Sequence, residues 1–182
     1  MPTKAEIESQ NDYLLQRQQK FRIAAEWVAR SLQPFPEVEK VALFGSVAVP
    51  LWKEIPRFTA FRRAKIEVYH ECKDVDLAVW IRDLSRLHEL QRAKAKALNS
   101  LHDEQSLGVA PHEVEMFLLE PETDRYLGRI CKFGKCPKQR KLECLVPGCG
   151  ATPFLQQHVD FEFYASALAP DKHVVLFDRT TN

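Results

Sequence analysis

Apolar residues recur along the chain with two different periods, and these periods predict both helices and strands. Spacings of three and four residues indicate two long helices, whereas short apolar runs indicate three strands. The ranges are 3–32 and 84–101 for the helices, and 41–46, 74–81 and 112–119 for the strands. Thr3 and Glu6 fit a capping box at the start of the first helix, and Pro34 stops it. Asp83 or Ser85 is expected to cap the second helix.

Shorter elements are predicted between these segments and after them. A helix is expected to open at Gly45-Ser46, with Pro50 tolerated in its first turn and Pro56 ending it. In the tail, a proline–aspartate turn separates two apolar runs, which predicts a hairpin, and one of its strands is expected to extend the central sheet. The remaining predicted elements are a short helix at 58–65, a segment at 66–70 that is either a strand or the lead-in to the next strand, and the hairpin of 161–164 with 173–178.

Two carboxylates at alternate positions of the second strand are the first candidates for chemistry. Asp74 and Asp76 point to the same face, because side chains alternate along a strand. Adjacent carboxylates repel each other, and a divalent metal ion is the usual way to hold them together. Gly45-Ser46 ends the first strand, where glycine lets a phosphate approach the backbone and a helix N-terminus favours an anion. Together these features indicate chemistry on a nucleoside triphosphate. The residues expected to face the core between and beyond the aspartates are Val75, Leu77 and Val79.

The order of these motifs resembles the signature of a known family. Leu43-Phe44-Gly45-Ser46 followed by Asp74-Val75-Asp76-Leu77 is similar to the pattern of the nucleotidyltransferase superfamily, the polymerase-beta-like fold. The resemblance covers roughly 38–120 and implies an α/β fold, with a small mixed β-sheet backed by helices. It also implies two Mg²⁺ ions, a nucleoside triphosphate donor and transfer of the nucleoside monophosphate with loss of pyrophosphate. Gly45 and Ser46 would hold the phosphates, and Asp74 and Asp76 the metal ions.

The same resemblance implies a third carboxylate on a later strand, and two glutamates compete for this role. Glu113 and Glu115 share one face of the predicted strand 112–119. The acid of the family directly precedes an apolar continuation of its strand, which favours Glu115 over Glu113. Glu115 would then be the third Mg²⁺ ligand and would help to deprotonate an acceptor hydroxyl.

Basic residues follow the Gly45-Ser46 pair at some distance. The connection from Val47 to Lys73 is longer than in minimal members of the family and lacks their Ala-Arg-Gly run. One of its basic residues contacts the triphosphate, or all of them lie on a solvated helix face. The candidates are Arg57, Arg62, Arg63 and Lys65.

Four cysteines form two C-x4-C pairs in the last third of the chain. This arrangement predicts tetrahedral thiolate coordination of a structural Zn²⁺ ion. An iron–sulfur cluster and two disulfides are the alternatives. The basic residues around the pairs would offset the negative charge of the thiolates, and they also allow contact with RNA. The four expected ligands are Cys131, Cys136, Cys144 and Cys149; the fifth cysteine, Cys72, is expected to be a small buried residue.

Composition and charge restrict the class of protein. The chain has 182 residues, 45% hydrophobic and 28% charged, with a formal net charge of +1. These values are ordinary for a globular domain, and the net charge supplies no general attraction to nucleic acid or membrane. No run reaches the length of a signal peptide or a membrane span, so we expect a cytoplasmic protein without membrane contact, in which cysteines stay reduced.

The sequence therefore predicts a nucleotidyltransferase core with an inserted zinc module. The expected division is 1–124 for the core, 125–155 for the zinc module and 156–182 for strands that complete the core. The acceptor stays open between a small molecule, a protein hydroxyl and an RNA end. The alternative is a non-catalytic protein that binds nucleotide or serves as a zinc-dependent interaction module, similar to a degenerate or antitoxin-like nucleotidyltransferase.

Overall fold

The computed structural model describes residues 2–54, 59–136, 144, 149, 151–157 and 163–181. These residues form a mixed α/β fold with three α-helices and a six-stranded mixed sheet. The helices are α1 (Lys4–Leu32), α2 (Thr59–Arg63) and α3 (Leu87–Gln105). The strands are β1 (Val38–Phe44), β2 (Lys53–Glu54), β3 (Val68–Tyr69), β4 (Val75–Ile81), β5 (Val114–Leu119), β6 (Tyr126–Ile130), β7 (Leu155–Gln156) and β8 (His173–Asp178).

The two long helices confirm the predicted periodicity, although only the first has the predicted cap. Thr3 is the N-cap of α1; its backbone N–H donates to the Glu6 carboxylate, and its hydroxyl accepts from the Glu6 N–H. By contrast, α3 begins at Leu87, and the prediction that Asp83 or Ser85 caps it is wrong. The Asp83 carboxylate instead accepts hydrogen bonds from the N–H and hydroxyl of Ser85 before the helix begins.

The central sheet has the strand order β7-β6-β5-β4-β1-β8. Among the described strands, β4–β5 is the only parallel pair, and it is joined through α3, because a parallel connection requires a long crossover. The neighbours β1–β4, β1–β8, β5–β6 and β6–β7 are antiparallel. The predicted mixed sheet is therefore confirmed. β6 and β7 also lie in this sheet, although both fall within or at the edge of the range expected for the zinc module.

The two faces of the sheet are covered differently. Helices α1 and α3 pack against each other and against one face, where they bury the alternate strand residues Val75, Leu77 and Val79, as predicted. The opposite face carries a smaller apolar cluster that includes Phe44 and Phe117, and the segment 163–168 packs on it. This second face is the one that carries the carboxylates, because Asp76 and Glu115 alternate with the residues directed towards the helices.

Two predictions about the connecting segments need correction, whereas the strand predicted at 66–70 is observed. The turn after β1 is a 3₁₀ turn of three residues, Gly45–Val47, and the described residues up to 54 contain no α-helix after it. The strand predicted at 66–70 is β3, but it pairs with β2 in a separate two-stranded sheet. The predicted hairpin is not observed in the described residues, because Phe163 and Tyr164 are not in a strand, while 161 and 162 lie outside the described residues. Its other half, β8, extends the central sheet along β1 as expected.

Helix α2 lies within the predicted range 58–65. Cys72 is buried, as predicted, with 2% of its surface exposed. None of the helices in the described part of the chain is both long enough and apolar enough to span a membrane.

Candidate functional site

The turn after β1 brings the backbone against an aspartate. Phe44, the last residue of β1, lies opposite Asp76 of β4 in the antiparallel register. Gly45 follows with φ of +74°, in the left-handed region that favours glycine. A Cβ atom added to Gly45 would lie 2.5 Å from Oδ2 of Asp76, a distance that real Cβ contacts do not show. Glycine is therefore required here both for the conformation and for the close approach of the carboxylate.

Helix α1 holds this turn in place through its side chains. The Gln18 side-chain amide donates to the carbonyl oxygens of Ser46 and Val49, at 3.0 and 2.7 Å. The Arg22 guanidinium donates to the carbonyl oxygens of Val47 and Val49, at 2.9 and 3.3 Å. In an α-helix these carbonyl groups would accept hydrogen bonds from backbone N–H groups, whereas here side chains of α1 supply the donors. The turn is therefore ordered by tertiary contacts rather than by a following α-helix.

Two acids lie side by side on neighbouring strands. Asp76 of β4 and Glu115 of β5 are direct partners in the parallel register. The pKa of Asp76 is raised to about 6, chiefly by burial and also by the nearby charges of Glu115 and Asp74, while Arg129 opposes the rise. Asp74 is exposed and directly precedes β4. The structure thus brings all three predicted acids close enough to interact electrostatically.

The third acid is held by an arginine. Nη1 of Arg129, on β6, donates to Oε2 of Glu115 at 2.5 Å, and both side chains are about three-quarters buried, with 26% and 29% exposed. The ion pair supplies a positive charge between the strands. Arg129 is not among the residues predicted from the sequence, because the short segment 126–130 is not predicted to be a strand.

Glu113 has a different position from Glu115. It lies in a 3₁₀ turn, Pro111–Glu113, just before β5. Its carboxylate accepts a hydrogen bond from the N–H of Ala110 at 2.7 Å and lies 3.6 Å from the guanidinium of Arg17. Glu113 therefore caps the turn that leads into β5, whereas Glu115 is the glutamate beside Asp76.

An open cleft of about 440 Å³ adjoins the glycine turn. It lies between Gly45 and Val49 on one side and the turn before β8 on the other, where Asp171 and Lys172 contribute. The exposed Lys172 is a basic residue beside the turn that sequence analysis assigned to phosphate. Lys172 lies in a short turn of the tail, and nothing in the sequence around it predicts that it lies beside Gly45.

The basic residues predicted for the triphosphate lie elsewhere. Arg62 donates a hydrogen bond to the hydroxyl of Thr59 within α2, and Arg63 ends that helix. Lys65 lines a different pocket, between α1 and the segment 65–69, and Arg57 lies outside the described residues. None of the described three lines the cleft at Gly45.

The four paired cysteines are free thiols and lie near one another. Cys131 and Cys136 are buried, with 4% and 7% exposed, and Cys144 and Cys149 are partly buried. Burial raises the pKa of Cys131, and the other three thiols raise it further, so all four are within electrostatic reach. The backbone N–H of Phe133 hydrogen-bonds the Cys131 thiol, and this bond opposes the rise of its pKa.

The acids around Asp76 and the four cysteines suit different metal ions. Carboxylate oxygens suit Mg²⁺, and thiolates suit Zn²⁺. Burial is the main cause of the raised pKa of Asp76 and of Cys131, and repulsion from the neighbouring acids or thiols, which a cation would relieve, adds to it. Within the described residues, no group of three or more His, Cys, Asp or Glu side chains is arranged to hold a metal ion.

No protein-family model, curated protein or solved structure matches the chain. Its site is therefore characterised by its own geometry. That geometry consists of a glycine turn against a partly buried carboxylate, a second carboxylate opposite it, an exposed third one, and a cleft with a lysine beside the turn.

Proposed function

We propose that the protein is a Mg²⁺-dependent nucleotidyltransferase, which moves a nucleoside monophosphate from a nucleoside triphosphate to a hydroxyl acceptor. The observation that carries the proposal is the register in which Asp76 lies between Phe44 of β1 and Glu115 of β5. This register collects a glycine turn and acids from two strands that are distant in sequence. A purely structural role gives no reason to place two carboxylates next to each other at the cost of a raised pKa.

Each residue of the site has a role in this proposal. The absence of a side chain at Gly45 lets a phosphate approach the turn, and the N–H and hydroxyl of Ser46 would hold it. Lys172 in the cleft would contact the triphosphate as a point charge. Asp74, Asp76 and Glu115 would hold two Mg²⁺ ions, which neutralise charge on the phosphates when bound. Glu115 would also accept the proton of the acceptor hydroxyl.

A structural Zn²⁺ site at the four cysteines completes the proposal. A thiolate site would join the end of β6 to the start of β7, since Cys131 follows β6 and its N–H donates to the carbonyl of Phe154 at 2.8 Å. The isolated bridge between Cys149 and Gln156 ties the second cysteine pair to β7. Zinc would therefore stabilise the edge of the sheet that carries Arg129.

The experiment is a nucleotide screen on the purified protein. The protein is incubated with each of the four labelled nucleoside triphosphates and Mg²⁺, and released pyrophosphate and labelled product are measured. We expect release with the wild type and none with Asp76→Asn, while Asp103→Asn, an exposed aspartate on α3, behaves as the wild type. Pyrophosphate release by Asp76→Asn at the rate of the wild type would refute the proposal.

A second candidate is a non-catalytic nucleotide-binding protein, and one observation favours it. Glu115 is bound by Arg129, so a cation at this position would have to compete with the guanidinium. Such a protein would show a nucleotide-dependent rise in melting temperature but no pyrophosphate in the same screen. The variant Arg129→Met separates the two functions further, because freeing Glu115 would increase metal binding only where that carboxylate is a ligand.

A further inference from the structure

A second pocket, of about 250 Å³, lies between α3 and the segment that follows β6. Four of its lining residues have side chains with basic nitrogen atoms, and its lining contains no aspartate or glutamate. It is smaller than the roughly 300–1,000 Å³ that drug-sized ligands occupy, which suits one phosphate group rather than a whole nucleotide. The four residues are His88, Arg92, Lys94 and Lys132.

Lys94 is the most unusual of these residues because it is a buried cation. Only 4% of it is exposed, and its ammonium donates to the carbonyl oxygens of Pro111 and Val114, at 2.9 and 2.8 Å. No ion pair joins it to a carboxylate in the described part of the chain. Burial lowers its pKa to about 8, although the charge of Glu115 opposes this effect. A buried ammonium without a paired anion is costly, and an anion in the pocket would offset that cost.

One wall of the pocket, the segment 131–134, is held in place by hydrogen bonds from α3. The side-chain amide of Gln91 donates to the carbonyl oxygens of Cys131 and Phe133, at 2.9 and 2.7 Å, which fixes the 131–134 segment against α3. Gly134 lies at the pocket, and a Cβ atom added to it would have no heavy atom within 4 Å, so the entrance is open there. The pocket is therefore preformed and accessible.

The surface beside the pocket combines positive charge with an exposed aromatic ring. Phe133 is 46% exposed, and the Lys132 ammonium lies 5.8 Å from its ring centroid. Arg92, which lines the pocket, is exposed, and so is Lys135, which follows Phe133 by two residues. The nearest acid on the helix, Glu89, is bound by Arg86, which leaves the pocket side basic. Basic side chains around an exposed aromatic ring are typical of proteins that bind single-stranded nucleic acid.

We propose that this pocket and Phe133 form a binding site for a single-stranded nucleic acid, with a backbone phosphate in the pocket and a base stacked on the ring. His88, Arg92 and Lys132 would contact the phosphate, and the buried Lys94 also lines the pocket. The exposed ring is what favours a nucleic acid over a phosphorylated protein, because a phosphopeptide needs only the charges. The site lies outside the carboxylate cluster, so binding there does not depend on the proposed nucleotidyl transfer.

The test measures binding without nucleoside triphosphate or Mg²⁺. Fluorescence anisotropy with labelled single strands of roughly 12 nucleotides, one of RNA and one of DNA, gives the affinity over a range of salt concentrations. The double variant Arg92→Gln/Lys132→Gln removes two exposed cations from the pocket. The control double variant Arg30→Gln/Lys96→Gln removes the same charge from exposed positions at a different pocket, between α1 and α3.

We expect the pocket variant to bind at least about tenfold more weakly than the wild type, whereas the control changes less than about twofold. The slope of log K against log salt should also become shallower by about 1.4, because each phosphate contact with a single strand contributes about 0.7. Phe133→Leu should weaken binding without changing this slope, since it removes stacking and no charge. RNA binding that exceeds DNA binding, or the reverse, identifies which strand the site takes.

Three results would overturn the proposal. The first is an equal loss of affinity in the pocket and control variants, which would indicate general attraction of charge. The second is an absence of binding to both strands by the wild type. The third is binding of a labelled phosphoserine peptide with higher affinity than either strand. Because no triphosphate or Mg²⁺ is present, none of these results depends on whether the protein transfers nucleotides.

Discussion

Replacing Asp76 by asparagine is expected to abolish the proposed activity and, at neutral pH, to make the protein more stable. The carboxylate has a pKa of about 6 in the folded protein, against a reference value of 3.8. A raised pKa means that ionisation in the folded state opposes folding. The difference corresponds to at most about 3 kcal/mol above pH 6, at 1.36 kcal/mol for each pKa unit. Asparagine has nearly the same shape and carries no charge, so it avoids this cost.

The sign of the pH dependence follows from the same values. Above about pH 6 the wild type carries the full cost of the ionised carboxylate. As the pH falls from about 6 to about 4, the carboxyl group of the folded protein binds a proton, and the cost disappears. The Asp76→Asn variant should therefore exceed the wild type in stability at about pH 7.5 and approach it at about pH 4.

Thermal unfolding measures this difference directly. For a chain of this length, 1 kcal/mol shifts the melting temperature by about 2–4 °C, so the gain at about pH 7.5 is up to about 12 °C. Added Mg²⁺ should raise the melting temperature of the wild type and have a smaller effect on Asp76→Asn. The matched control is Asp103→Asn, an exposed aspartate on α3, which should leave the melting temperature at about pH 7.5 unchanged.

A loss of stability in Asp76→Asn at about pH 7.5 would contradict this reasoning. It would mean that the ionised carboxylate is stabilised by Arg129 or by backbone donors more than it is destabilised by burial and by Glu115. Asp76 would then be a structural residue, and the close approach of Gly45 would no longer indicate a functional site.

Three further predictions concern the turn, the cleft and the cysteines. Gly45→Ala should destabilise the protein by about 1–3 kcal/mol in urea unfolding, because φ is +74° and the added Cβ collides with a carboxylate, whereas Gly134→Ala should stay within about 0.5 kcal/mol. Lys172→Gln should weaken nucleotide binding by about tenfold in a fluorescence titration, the loss of one charge-assisted contact, while leaving the melting temperature unchanged; unchanged affinity would place the triphosphate elsewhere. Metal analysis should find zinc in the wild type and little in Cys131→Ser, whose melting temperature should fall to that of the chelator-treated protein.

The sequence by itself determined the elements that depend on local pattern. Helical spacing predicted α1 and α3, the capping box predicted the start of α1, and strand alternation placed Asp76 on the face away from the helices. These features depend on residues within a few positions of one another, so they can be read without knowing the rest of the fold. The choice of Glu115 over Glu113 came from the resemblance to a family and stays a prediction; the structure shows that Glu115 is the direct partner of Asp76 in the register with β4.

Only the tertiary structure decided which segments meet. Arg129 reaches Glu115 because β6 pairs with β5, and Lys172 reaches the Gly45 cleft because β8 pairs with β1. The turn after β1 is a 3₁₀ turn because Gln18 and Arg22 of α1 satisfy its carbonyl groups. Each of these contacts joins residues that are far apart along the chain. Such contacts depend on strand pairing and side-chain packing, so they cannot be predicted from the periodicity of one segment.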